Sequence, residues 1–191
     1  MTMKHKTLAL LLGAILLIHT PYVWGAASKQ FTAPGTAVTF ADSAQTPTVV
    51  FTLSNLVQGT GQYSARYDKG AGSQPSLFQL ACHLQLTGTN VAGSTLEVYI
   101  IHWDAAGNNS DGNLGTTTAA LATDKRRNLK PAGLLVVDQT VTNTTMSVNL
   151  LNVYIPGRYV SIAIWNATGI PTKTDTAVHG CALIPMPPEM Q

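Results

Sequence analysis

Charge is what this sequence has least of: Asp, Glu, Lys and Arg make up 10% of its 191 residues, against roughly 25% in an average soluble protein. Eleven Lys and Arg against nine Asp and Glu leave a formal net charge of +2. That is too little for a nucleic-acid groove, and the one basic run, Lys125, Arg126 and Arg127, is short and followed by apolar sequence. The acids are too few and scattered to offer the paired carboxylates of a glycosidase, and Asp104, Asp111, Asp124 and Asp138 read as polar loop residues. No GxSxG, HExxH or Gly-rich phosphate loop occurs, so the usual signatures of acyl transfer, zinc proteolysis and phosphate binding are missing. Cysteine is limited to Cys82 and Cys181. Neither CxxC nor HxH spacing occurs, so His83, His102 and His179 read as strand histidines and not as metal ligands, and no cofactor is implied. Cys82 shares a strand face with Phe78, Leu80, Leu84 and Leu86, which favours a buried free thiol over a disulfide with Cys181. Amphipathic helices and internal repeats are absent too, which excludes βαβ and solenoid architectures.

What is present is strand pattern. In residues 145–167 two apolar, β-rich runs flank Pro156 and Gly157. In the second, Val160, Ile162 and Ile164 alternate with Tyr159, Ser161, Ala163 and Trp165, so a period of two coats both faces of one strand. Such a strand belongs in the middle of a sheet that is covered on both sides. Further strands are expected at 36–41, 48–53, 62–68, 77–86, 95–103, 133–139, 146–155 and 177–184, with Tyr63, Ala65 and Tyr67 sharing one face of the 62–68 strand. About nine short strands with polar turns predict an all-β fold, an antiparallel β-sandwich or jelly roll.

Residues 104–130 lose the alternation and read as a long exposed loop with a helical turn near 118–121. Asp104, Asn108, Asn109, Asp111, Asn113, Lys125, Arg126 and Arg127 are its candidate partner contacts. The Asn109 to Asn113 stretch offers alternating oxygen ligands, but Ala120 stands where an EF-hand type of calcium loop needs an acid, so a plain turn is expected. Asn108, Asn143 and Asn166 open N-glycosylation tripeptides, which a Thr- and Asn-rich β-protein generates by chance.

Residues 1–27 combine an early pair of lysines, the apolar run TLALLLGAILLI and a small-residue cluster at Gly25, Ala26 and Ala27. This is the layout of a secretory signal peptide, cleaved near Ala26 or Ala27. The alternative is a retained apolar helix, the chain's one route to a membrane. Residues 28–191 then form one β-sandwich domain.

In combination, the run from Val98 to Trp103, Asp111-Gly112, Ala120-Leu121, Lys125 to Leu129, Gly133 to Val137, Arg158 to Ser161, Trp165-Asn166 and Pro185-x-Pro187-x-Glu189-x-Gln191 resembles small virion structural proteins of tailed bacteriophages. The resemblance covers about the C-terminal half. It implies a non-catalytic, capsid-associated or decoration-type β-sandwich, or a head-tail accessory protein, oligomeric and in contact with capsid or tail proteins. Virion proteins rarely begin with a signal-like segment, so two locations stay open: the particle, or the periplasm or medium after cleavage. A secreted carbohydrate-binding or surface-attachment module, presenting Tyr99, Trp103 or Trp165 to sugar rings, is the second reading. A secreted β-sandwich hydrolase is the third.

Overall fold

The doubly apolar strand is the axis of the molecule. In the computed structural model, which describes residues 35–71, 75–89, 91–104, 108, 114–137 and 145–186, Tyr159–Asn166 (β10) is hydrogen-bonded on both sides. Gly61–Tyr63 (β3) and Tyr67–Asp68 (β4) lie on one side and Thr95–Trp103 (β6) on the other. Ala119–Leu121 (β7) and Lys130–Val136 (β8) complete this sheet in the order β7-β3-β10-β6-β8. The second sheet contains Val49–Val50 (β2), Val38–Ala41 (β1), Gly180–Pro185 (β11), Leu77–Gln85 (β5) and Thr145–Tyr154 (β9), in the order β2-β1-β11-β5-β9.

The strand order makes the sandwich a jelly roll. Leaving aside the short β2, β4 and β7, four of the six antiparallel pairings are β1 with β11, β3 with β10, β5 with β9 and β6 with β8, the others being β10 with β6 and β11 with β5. The first four strands therefore pair with the last four in reverse order, as a long hairpin does when it is rolled into two sheets. Among the described residues only β1 and β2 run parallel, joined through a 3-10 turn at Ser43–Gln45.

Between the sheets, Phe40, Leu80, Leu84 and Leu183 meet Leu96, Val98, Ile100, Val160, Ile162 and Ile164 in one core. The opposite face of β10 is buried as well. Ala163 and Trp165 join Tyr63, Tyr99, Ile101, Trp103, Leu121 and Leu129 in a second cluster, with Tyr159 packed against it. The layer over this face comes from the same chain, out of residues 114–129.

Several expectations need correction. Residues 62–68 do not form one strand. Tyr63 pairs with Ala163 and Tyr67 with Val160, so three residues, 64 to 66, stand opposite two on β10. This bulge shifts the alternation by one: Tyr63 faces the outer cluster, while Ala65 and Tyr67 pack on the inner core. The Ser64 hydroxyl holds the bulge, accepting from the Ile162 N–H at 3.0 Å and donating to the Ala65 carbonyl at 2.8 Å. Ala119 to Leu121 form an edge strand on β3, and the helical turn falls later, at Thr123–Arg126 (α1). Cys82 and Cys181 form a disulfide between β5 and β11. They are direct cross-strand neighbours, and the sulfurs lie within the core at 2% and 5% exposure of the two residues. Both cysteines lie on the apolar face, where the β5–β11 register brings two small polarizable side chains together.

One glycine fixes how closely the outer layer approaches. A Cβ on Gly61 would lie 2.7 Å from Trp165 Cε3 and 3.1 Å from both the Ile164 carbonyl oxygen and Leu121 Cβ. Two of these three neighbours are tied to strand backbone and cannot turn aside. Gly61→Ala is expected to cost about 1–3 kcal/mol, measured as a lower urea midpoint; an unchanged midpoint would show that β7 is not packed on β3 as described.

Candidate functional site

The described residues of the segment expected to be an exposed loop are mostly exposed, but four of its apolar side chains form a cover. Leu114, Ala119, Leu121 and Leu129 pack on the outer face of the β10 sheet. Arg126, at the end of α1, forms an ion pair with Glu97 at 3.2 Å, and its guanidinium carbon lies 4.6 Å from the centre of the Trp165 ring. Tyr99 donates its hydroxyl hydrogen to the same Glu97 carboxylate. Burial, reinforced by that bond, raises the Tyr99 phenol to about 12. Arg126 is thus a clamp on the outer layer and is not free to meet a partner. Lys125 is half-buried and Arg127 is exposed. At the start of the segment Asp104 accepts from the Asn108 N–H at 2.8 Å and from its side-chain amide at 2.9 Å, closing a turn. Asn109, Asp111 and Asn113 lie outside the described residues, so of the eight candidate contacts the structure places five. It groups them as one turn and one short helix.

The histidines are set by the fold. His179 is 1% exposed; its Nδ1 accepts from the Gln85 N–H at 3.2 Å, and its Nε2 lies 2.9 Å from the Lys173 carbonyl oxygen. That pairing requires the neutral ring with its hydrogen on Nε2. Burial lowers the His179 value from the ordinary 6.5. Burial does the same at His102, helped by Lys130 and Lys69, and His102 Nδ1 is buried without a hydrogen-bond partner. The unfolded chain therefore takes up protons at these rings before the folded one does, so stability is full above the ordinary value and is lost as pH falls below it. The urea midpoint is expected to drop between pH 7.5 and 5.5, and a midpoint that rises or stays level would contradict the bonding assigned to His179. His83 is exposed on the outer face of β5. Among the described residues no group of three or more His, Cys, Asp or Glu side chains is placed to hold a metal ion.

Asn166, which opens one glycosylation tripeptide, is fully buried, and its amide donates to the carbonyls of Leu56 and Ile170 at 2.7 and 2.8 Å. In the folded protein it is closed to modification. The rings that a sugar platform would use are also inside: Tyr99, Trp103 and Trp165 are 9%, 4% and 5% exposed, and Trp103 Nε1 donates to the Ser161 hydroxyl at 3.0 Å.

Two surfaces of the described residues stand out. The first is the seam where β8 and β9, edge strands of different sheets, come side by side. Each carries an irregularity there: the β6–β8 register slips between Val98 and Tyr99, the β5–β9 register between Phe78 and Leu80. Asn152, at the second slip, takes a left-handed φ of 59°. Pro131, which has no N–H to offer a ladder, stands at the first. Between them runs a cleft of about 510 Å³ lined by Lys130, Pro131, Leu150, Leu151, Asn152 and Tyr154, among others. Leu134, Val136, Leu151 and Tyr154 on these two strands are half exposed or more. No sequence signal marks the seam, because it depends on which strands end up at the sheet edges.

The second is the end of the sandwich where β4 meets β10. Arg158 makes two bonds to the Asp68 carboxylate, at 2.6 and 2.7 Å. Those bonds, with one from the Gly70 N–H, lower Asp68 to about 2. Arg158 also lies 5.0 Å from the centre of the Tyr159 ring, and Arg66 lies 4.4 Å from the same ring and 5.7 Å from that of Trp103. Neither Arg66 nor Tyr159 is singled out by the sequence, since the bulge at 64–66 is what turns Arg66 onto the aromatic face.

The fold is an all-β jelly-roll sandwich with a disulfide joining two strands of one sheet. No protein-family model, curated protein or solved structure matches the chain.

Proposed function

We propose that this protein is a non-catalytic structural component of a bacteriophage virion, a capsid decoration or cement protein or a head-tail accessory, acting through contacts with capsid or tail proteins and with copies of itself. The observation that carries this reading is the pair of edge strands at the seam: Leu151 and Tyr154 stand exposed along its cleft, and Leu134 and Val136 stand exposed on the neighbouring edge strand. Exposed apolar groups on unpaired edges are a liability for a solitary protein and suit one that is permanently covered. The low charge of the surface supports the same reading, because the buried parts of interfaces are depleted in charge. Jelly rolls recur in viral capsids and in lectins, so the fold is compatible with the reading without deciding it. The ionisable side chains argue in the same direction, since Asp68, Glu97, Asp104 and His179 are each bonded within the fold.

A second reading, a secreted or periplasmic attachment module, is favoured by the disulfide, because such bridges persist in oxidising compartments. Mass spectrometry separates the two. Recovery of the protein from purified particles supports the virion reading; a chain that begins after Ala26, found in periplasm or medium and absent from particles, overturns it.

A further inference from the structure

Arg66 is in an unusual position for a guanidinium. It is half-buried, stacked on Tyr159 and near Trp103, and among the described residues no carboxylate or carbonyl accepts from its side chain. Its planar fork of donors therefore keeps its edge available. Arg158 shares the Tyr159 ring with it, and that side chain commits Nε and Nη2 to Asp68 and leaves Nη1 over. Among the described residues, the two guanidiniums within 5.0 Å of one ring centre thus share one bonded carboxylate, that of Asp68, which is taken by Arg158. Bringing like charges together opposes folding unless an anion joins them.

We propose that Arg66 and Arg158, held on Tyr159 at the β4 end of the sandwich, are a docking point for a carboxylate-rich segment of a partner protein. A stacked, pre-oriented fork recognises a carboxylate through two parallel hydrogen bonds and loses little freedom in doing so. The neighbouring cations do not extend the pair into a track for a phosphate backbone. Lys69 gives its ammonium to the carbonyls of Pro75 and Ile155, at 3.0 and 2.7 Å, and Arg126 lies away from the pair, over Trp165 at the other end of β10, bonded to Glu97. Nucleic acid needs a stripe of free cations, whereas a short acidic peptide needs one or two. This deepens the proposed function by naming what a partner would bring, and it rests on that reading only for the biological setting.

The test is a titration of the whole protein with a hexaglutamate peptide at low ionic strength, followed by calorimetry and by emission from Trp103. Saturable binding is expected, weakened at least tenfold by Arg66→Gln and also weakened by Arg66→Lys, which keeps the charge and loses the fork. Lys173→Gln, at the opposite end of the sandwich, should bind as the wild type does, and the melting temperature of Arg66→Gln should show that the variant is folded. Absence of binding, or equal binding by wild type and Arg66→Gln, overturns the proposal. Tighter binding of a twelve-base-pair duplex than of the peptide also overturns it, in favour of a nucleic-acid partner. A protein found in particles that ignores the peptide defeats this inference alone; one that binds the peptide but is absent from particles defeats the virion reading alone.

Discussion

Ile162→Asp is expected to leave no folded protein. Ile162 is fully buried at the centre of β10, between the two sheets, in register with Ile100 on β6. Removing its side chain forfeits about 1.5–3 kcal/mol of burial. The carboxylate put in its place has no cation in the core to pair with, and an unpaired buried charge adds several kcal/mol more. Together these terms rival the whole stability of a domain of this size, on the order of 5–15 kcal/mol. The variant should accumulate as insoluble chain, and circular dichroism of any refolded material should show no cooperative melt. A soluble Ile162→Asp protein with a sharp transition would mean that the core has been assigned to the wrong face of β10.

Reduction of the disulfide is the second large effect. The bridge joins residues separated by 99 positions, and closing a loop of that length restricts the unfolded chain by about 4–5 kcal/mol in the chain-entropy account. Comparing oxidised with reduced wild type isolates the cross-link, because no side chain is removed. The reduced protein should unfold at a markedly lower urea concentration, and the oxidised protein, even when unfolded, should take up no thiol reagent. Equal midpoints would sink the idea that the bridge restrains the unfolded chain.

The two predictions probe different levels of information. Ile162 was legible as core because a period of two needs only neighbouring residues to show itself, and Val160 and Ile164 supply it. The disulfide was not legible, because Cys82 and Cys181 meet through the β5–β11 register, and register between strands far apart in sequence leaves no local mark. Arg66 shows the same limit at shorter range. Its neighbours Ala65 and Tyr67 alternate as if on one straight strand, but the extra residue opposite Ser161 and Ile162 turns the chain and sends Arg66 to the aromatic face.

Residues 104–130 mark the boundary between the two. Their low periodicity correctly separated them from the long strands, yet Leu121 and Leu129 could not be seen as a lid, because what they cover is the outer face of a strand whose partners lie elsewhere in the chain. The all-β class, the two apolar faces of β10 and the scarcity of charge could all be read from residue order and composition. Alternation and composition are local properties, and burial acts on them directly. Which strands become edges, which cysteines meet and which arginine stacks on Tyr159 follow from long-range pairing that many sequences with the same pattern could satisfy differently, so only the folded chain shows them.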